Sequence, residues 1–284
     1  MQDLVIKRVG VLLRPSTPEL KESFLELKSV FNRHGIEVFI ESISGGMIDL
    51  IGMDLDILCK QCDILVTLGG DGTLISAVRR SFTYDIPVLG IYAGNLGFLA
   101  DVGFDEIEDF VAKLAAGRFR IDERAVLEAK VLKDNEATTF YAFNDIVLTR
   151  SSISNMISIK TLVDGKEFNT YYGDGVIVST PTGSTAYNLS SGGPVLFPLT
   201  NVFALTPICP HSLTQRPVVL PGKFSIEMKT PKSRAVIIVD GQDMVELEQN
   251  QSLYIRLASK TAKLIHREEF NYFDVLKEKL KWGE

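Results

Sequence analysis

Cysteine is scarce in this 284-residue chain, with 3 residues, and there is a single tryptophan. So few cysteines in so long a chain exclude a disulfide-framework fold and agree with a reducing compartment. Cys59 and Cys62 form a CxxC, but a zinc site needs two more ligands, and Cys209 with His211 is an incomplete set. Small thiols buried near a helix end are the better reading. Positive charge is also in deficit, 30 Lys+Arg against 36 Asp+Glu for a net charge of -6. That argues against a broad nucleic-acid surface. Long apolar runs are missing too. Residues 175–215 carry no Asp, Glu, Lys or Arg, where a chain with 23% charged residues would place about nine. The stretch is nevertheless broken by Pro181, Pro194, Pro198, Pro207, Pro210 and several glycines, so it does not suit a membrane span. Leu4 to Leu13 holds Lys7 and Arg8 within its apolar run, and no signal-peptide cleavage site follows. The expected location is the cytoplasm, with no membrane or nucleic-acid partner.

What is present is a globular composition, 45% hydrophobic, and a change of grammar near residue 120. Before it, apolar runs at Val9–Leu13, Ile36–Ile40, Ile64–Leu68 and Pro87–Tyr92 alternate with helical periodicity at Leu20–Phe31, Ile51–Gln61, Thr73–Arg80 and Phe104–Leu114. Non-alternating strands between helices predict βαβ units and a parallel sheet covered on both faces. After it, strand patterns dominate: Val126–Leu132, Phe140–Thr149, Ile157–Val163, Lys166–Tyr172, Gly175–Ser179, Phe224–Lys229, Ala235–Val239 and Ser252–Leu257, with Asp164-Gly165 as a hairpin turn. The expected domains are 1–120, an α/β domain, and 121–269, an all-β domain, with the helix of residues 270–284 returning to the first.

Three segments carry chemistry. Ile64–Leu68 runs into Gly69-Gly70-Asp71-Gly72-Thr73 and then a helix. Glycines there permit positive φ and close backbone approach, and the helix start offers N–H groups to a phosphate. The alternative is a tight turn in which Asp71 is only a cap. Neither GxxxxGK[ST] nor GxGxxG occurs, so phosphoryl transfer would use parts other than those of P-loop enzymes. The second segment, GDGVIVSTPTGSTAYNLSSGGP from Gly173 to Pro194, is dense in hydroxyls and includes Tyr187. It suits a neutral polar ligand such as a nucleoside, or else a set of capped turns. The third, Asn144-Asp145 at the head of an apolar strand, is either an edge pair or a grip on a ribose diol.

Taken in order, GGDGT (69–73), GNLGFL (94–99), Asn144-Asp145, the block at 173–194, HSLTQRPVVLP (211–221) and Asp240-Gly241-Gln242 resemble the motif set of NAD kinases. GGDGT alone is shared with diacylglycerol and sphingosine kinases and approximately with phosphofructokinases, whereas TPTGSTAY is close to unique to this family. The resemblance implies a Rossmann-like N-terminal α/β domain and a C-terminal β-sandwich, assembled as homodimers or homotetramers. It implies transfer of the γ-phosphoryl of ATP, or of polyphosphate, to the 2′-hydroxyl of the adenosine ribose of NAD, with a divalent cation, Mg²⁺, whose protein ligands it does not identify. Asp71 becomes the proton acceptor, with Gly72 beside it and Gly69, Gly70 and Thr73 as the phosphate loop. NAD contacts map onto Phe98, Asn144, Asp145, Asp174, Thr185, Ala186, Tyr187, Asn188, Leu189, Ser190 and Gln242. Asp145 departs from the family, where glutamate is usual. Two other functions stay open at this point, a lipid kinase sharing GGDGT and a non-catalytic NAD-binding sensor.

Overall fold

The computed structural model describes residues 4–94, 96–133, 136–152 and 155–283, with backbone alone at Lys133 and Glu136. Asn95 of the GNLGFL segment lies outside the described residues. The chain divides into two units, Met1–Glu123 with Ala262–Glu284, and Arg124–Thr261.

The first unit begins β1 (Arg8–Leu13), α1 (Lys21–Arg33), β2 (Glu37–Ile40), α2 (Ser42–Met47), α3 (Leu55–Gln61), β3 (Ile64–Gly69) and α4 (Asp71–Ser81). It continues with β4 (Val88–Tyr92), β5 (Val102–Gly103), α5 (Ile107–Ala115) and β6 (Arg120–Arg124). Its sheet has the order β2-β1-β3-β4, with β5 also on β4, and β1, β2, β3, β4 and β5 pair in parallel. Every residue of β3 is buried, as a central strand covered on both faces requires. Val9, Val11, Ile64, Val66, Leu68, Leu89 and Ile91 pack against Phe24, Leu27 and Phe31 of α1 and Phe110 and Val111 of α5. Parallel pairing puts the ends of β3 and β4 at one edge of the sheet, where the Ala93 N–H donates to the Gly69 carbonyl (3.0 Å). Loops at that edge are where open α/β sheets hold ligands.

The second unit contains β7 (Leu127–Lys133), β8 (Glu136–Ala142), β9 (Asp145–Arg150), β10 (Ile157–Val163), β11 (Lys166–Gly173), β12 (Gly175–Ser179) and the short α6 (Tyr187–Ser190). Then come β13 (Val202–Ile208), β14 (Val218–Pro221), β15 (Ser225–Lys229), β16 (Ala235–Val239), β17 (Asp243–Leu247) and β18 (Ser252–Leu257). They form two antiparallel sheets, β11-β10-β15-β18-β7-β8 and β14-β13-β12-β9-β16-β17. Alternate residues of both, including Leu127, Ala129, Ile159, Met228 and Ile255 of one and Ile146, Leu148, Val176, Val178 and Ile237 of the other, make one core. Val147, Ile177 and Ile208 cluster separately, so β12 is buried along its whole length instead of alternating. Asp164 and Gly165 both take positive φ, 46° and 74°, in the β10–β11 hairpin.

Two sequence expectations change. Residues 262–269 were expected in the all-β domain, but β19 (Ala262–His266) pairs parallel with β4 and so belongs to the first sheet, followed by α7 (Tyr272–Leu280). Phe140–Thr149 is not one strand: the chain leaves β8 in one sheet and enters β9 in the other at Phe143-Asn144. Its apolar pattern runs unbroken through that corner, because both strands feed one core. No helix among the described residues is long and apolar enough to cross a membrane.

Candidate active site

In the first unit the chemistry gathers at the β3–α4 junction. None of Gly69, Gly70 or Gly72 takes positive φ, so the expected conformational role of these glycines is not realised. Gly70 is extended (φ -127°, ψ -171°) and precedes the helix, and Gly69 is needed for space, since a Cβ there would run into Thr73 Oγ1. α4 starts at Asp71, two residues earlier than its periodicity predicts.

Asp71 is the first residue of α4 and not its N-cap, which is Gly70. Its carboxylate instead accepts the N–H groups of Phe98 (2.7 Å) and Leu99 (3.2 Å). The approach is so close that a Cβ on Gly97 would overlap the carboxylate. GGDGT and GNLGFL are thus two halves of one device, joined through backbone. A carboxylate has about four lone-pair directions, so two bonds orient Asp71 and leave capacity for a hydroxyl proton or a cation. Phe98 is half-buried on this loop, Gly72 is exposed and Thr73 is buried.

In the second unit the β8–β9 corner is the centre. Asp240 and Gly241 follow β16 with positive φ (52° and 65°), and the Gln242 N–H donates to the Val239 carbonyl (3.0 Å), as in the turns that close tight hairpins. The Asp240 carboxylate accepts three backbone N–H groups, from Phe143 (2.9 Å), Asn144 (2.7 Å) and Asp145 (3.0 Å). From the other side, the Thr180 N–H donates to the Asn144 carbonyl (2.9 Å) and Thr180 Oγ1 to the Phe143 carbonyl (2.7 Å). The Gly183 N–H closes the turn on Thr180 Oγ1 (3.0 Å), and a Cβ on Gly183 would overlap the Asn144 carbonyl.

Backbone demands are therefore met at this corner while side-chain ones are not. Asn144 Oδ1 and Thr182 Oγ1 are buried without a hydrogen-bond partner among the described residues. A group left so costs roughly 1–3 kcal/mol, which makes the corner a poor purely structural turn. Asp145 is only 4% exposed. Burial, with the Asp240 carboxylate beside it, pushes its carboxyl up to about 7, so near neutral pH it can donate a proton to a ligand oxygen or accept one.

The remaining expected residues separate. Asn188 is fully buried and its amide is used internally: Nδ2 donates to the carbonyls of Ser184 (3.1 Å) and Pro194 (3.0 Å), and Oδ1 accepts Thr206 Oγ1 (2.7 Å). Around it, Thr185, Ala186 and Leu189 are half-buried, and Tyr187 and Ser190 are exposed. Asp174 sits between β11 and β12 with Oδ1 3.3 Å from Arg150. Gln242 lies exposed in the turn beside Asp240. Sequence reasoning quoted Gly97, Thr180 and Asp240 within its motifs but gave none of them a positioning role; the Asp-Gly pair directly after an apolar strand was the available signal for the last.

Comparison with known proteins agrees in both units. Residues 9–119 match the family model described as the ATP-NAD kinase N-terminal domain, and residues 143–267 the ATP-NAD kinase C-terminal domain. Among curated proteins, the NAD kinase of Sulfurimonas denitrificans is 65% identical over 284 residues, covering 100% of both chains. That of Wolinella succinogenes is 52% identical over 280 residues, 98% of this chain and 97% of the other. Among solved structures, yeast NADH kinase complexed with NADH aligns with a TM-score of 0.92 at 27% identity, covering 99% of this chain and 89% of that one.

Proposed function

The chain belongs to the NAD kinase family, and from that premise we propose how its residues divide the work of making NADP. The acceptor is the 2′-hydroxyl of the adenosine ribose of NAD and the donor is the γ-phosphoryl of ATP, in keeping with the family description. An alcohol is a weak nucleophile at neutral pH, so a positioned carboxylate that takes its proton as the O–P bond forms supplies about 10² to 10⁴-fold. Asp71 has that role. The observation that carries the assignment is its carboxylate, aimed by the Phe98 and Leu99 N–H groups at the first residue of α4. Gly69, Gly70, Gly72 and Thr73 line the donor phosphates at the start of α4, where helix N–H groups favour anions.

The second unit reads the dinucleotide. Asn144 and Asp145 hold ribose and amide groups, Thr185, Ala186, Tyr187, Leu189 and Ser190 pack along the nucleoside, and Asp174 and Gln242 complete the polar contacts. Phe98 is assigned as the adenine-side aromatic contact that the family resemblance implies. Asn188 acts differently from the expectation that it touches NAD: with its amide consumed, it holds the 184–194 turn in shape.

Among the described residues no three His, Cys, Asp or Glu converge as a metal cage. Mg²⁺ is held by one or two carboxylates together with substrate phosphates, and the lone pairs that the Phe98 and Leu99 N–H groups leave on Asp71 suit such a place. When bound, the ion would offset charge on the transferring group. The lipid-kinase and sensor alternatives have no support beside full-length identity to NAD kinases. We place the enzyme in the cytoplasm, as a homodimer or homotetramer; light scattering of the purified protein reads the latter. The deciding assay mixes protein, NAD, ATP and Mg²⁺ and reads NADP, with inorganic polyphosphate as a second donor and diacylglycerol as a parallel acceptor. NADP is the expected product; phosphatidate without NADP would overturn the reading.

A further inference from the structure

We propose that Asp240 is the positioning residue of the NAD site: its carboxylate holds the Asn144-Asp145 corner in its binding geometry and acts on NAD only through those two residues. The inference rests on the reading that Asn144 and Asp145 contact NAD. Its basis is geometric. One carboxylate gathers three successive backbone N–H groups, those of Phe143, Asn144 and Asp145, at 2.9, 2.7 and 3.0 Å, where the chain passes from one sheet to the other. In return the Asp240 N–H donates to the Asp145 carbonyl (3.0 Å). Three converging N–H groups form a nest that suits an anion, and charge-assisted bonds of this kind are roughly twice as strong as neutral ones. A backbone corner held in this way fixes where the Asn144 and Asp145 side chains begin.

The device also has an electrostatic side. Asp240 places a negative charge next to the buried Asp145, and after burial that charge is the second cause of the raised Asp145 carboxyl. The same residue therefore sets the position of Asp145 and influences the pH range over which it carries its charge. A neutral amide at 240 keeps an acceptor oxygen but gives up the charge and one acceptor site, and its NH₂ faces a backbone donor. An alanine gives up all three bonds.

The test compares wild type with Asp240→Asn, Asp240→Ala and Asp145→Asn under saturating ATP and Mg²⁺, across pH 5.5–9. For Asp240→Asn the KM for NAD should rise tenfold or more, while the KM for ATP stays within about twofold. The inflection in its NAD-KM profile should also move to lower pH, a change that mere loosening of the fold would not give. Asp240→Ala should cost more, and Asp240→Ala combined with Asp145→Asn should cost less than the product of the two separate effects. An unchanged KM for NAD in Asp240→Asn, or an equal rise for both substrates with no movement of the profile, overturns the proposal. If Asp145→Asn alone leaves the KM for NAD untouched, the reading of the site has failed instead, and the proposal with it. Should the Asp240 variants not fold, amide hydrogen exchange of the wild type decides: the Phe143, Asn144 and Asp145 N–H groups should be protected together without NAD, and rapid exchange at all three would refute the clamp.

Discussion

Replacing Asp145 by asparagine should make the protein without ligand more stable above neutral pH, an unusual outcome for a residue in a binding site. The carboxyl is buried at 4% exposure and raised from its ordinary 3.8 to about 7, first by burial and then by Asp240. The folded state accordingly holds the proton between about pH 4 and pH 7, where the unfolded chain has released it. Stability from this group is present at acid pH and is lost as pH climbs through that window, levelling off above it. At about 1.4 kcal/mol for each pH unit, the rise amounts to a ceiling of about 4 kcal/mol at pH 8. Structural relaxation and water entry would bring it to roughly half. Asparagine has nearly the same shape and no charge to desolvate. Urea unfolding at pH 8 and pH 5, with intrinsic fluorescence and circular dichroism as independent probes of two-unit behaviour, measures it. The expected gain for Asp145→Asn is roughly 2 kcal/mol at pH 8 and about 1 kcal/mol at pH 5, where the unfolded chain has already released the proton. A variant no more stable than wild type at pH 8, or a gain identical at both pH values, would refute the reasoning. The same variant should bind NAD more weakly, so stability and affinity should move in opposite directions.

Gly97→Ala should cut kcat by about 100-fold, because its Cβ would displace the Asp71 carboxylate and misplacement by about 1 Å costs that much; steady-state kinetics within threefold of wild type would contradict the coupling. Asn188→Ala should cost about 2–5 kcal/mol in urea unfolding, since it strands the Ser184 and Pro194 carbonyls and Thr206 Oγ1. Thr206→Val removes only one of those bonds and should cost about 1 kcal/mol. An Asn188→Ala protein of wild-type stability that fails only in NAD binding would make Asn188 a ligand contact after all.

Much of the fold was legible because local and global preferences coincide. The apolar runs at Ile157–Val163, Gly175–Ser179, Ala235–Val239 and Ser252–Leu257 are strands with those bounds, and Asp164-Gly165 turns where only positive φ would serve. Failures came where tertiary context decides. β19 looks like any β-domain strand until its partner, β4, is known. The break at Phe143-Asn144 cannot be read from hydropathy, because the side-chain pattern does not record which sheet a strand joins. At the site, residue types indicated that Asp71 and the 173–194 block carry chemistry, but not which atoms are already spent. Asn188 and Asp240 exchange their apparent importance once hydrogen bonds are counted: the first is consumed inside its turn, and the second organises a corner 95 residues away in sequence.

The central claim is that Asp71 accepts the proton of the attacking hydroxyl. It is tested most directly by single-turnover NADP formation in Asp71→Asn at saturating NAD, ATP and Mg²⁺, with NAD affinity measured in parallel by calorimetry. The predicted result is NAD binding within a few-fold of wild type and a rate lower by about 10² to 10⁴-fold. A folded Asp71→Asn protein that binds NAD and turns over at the wild-type rate would contradict it.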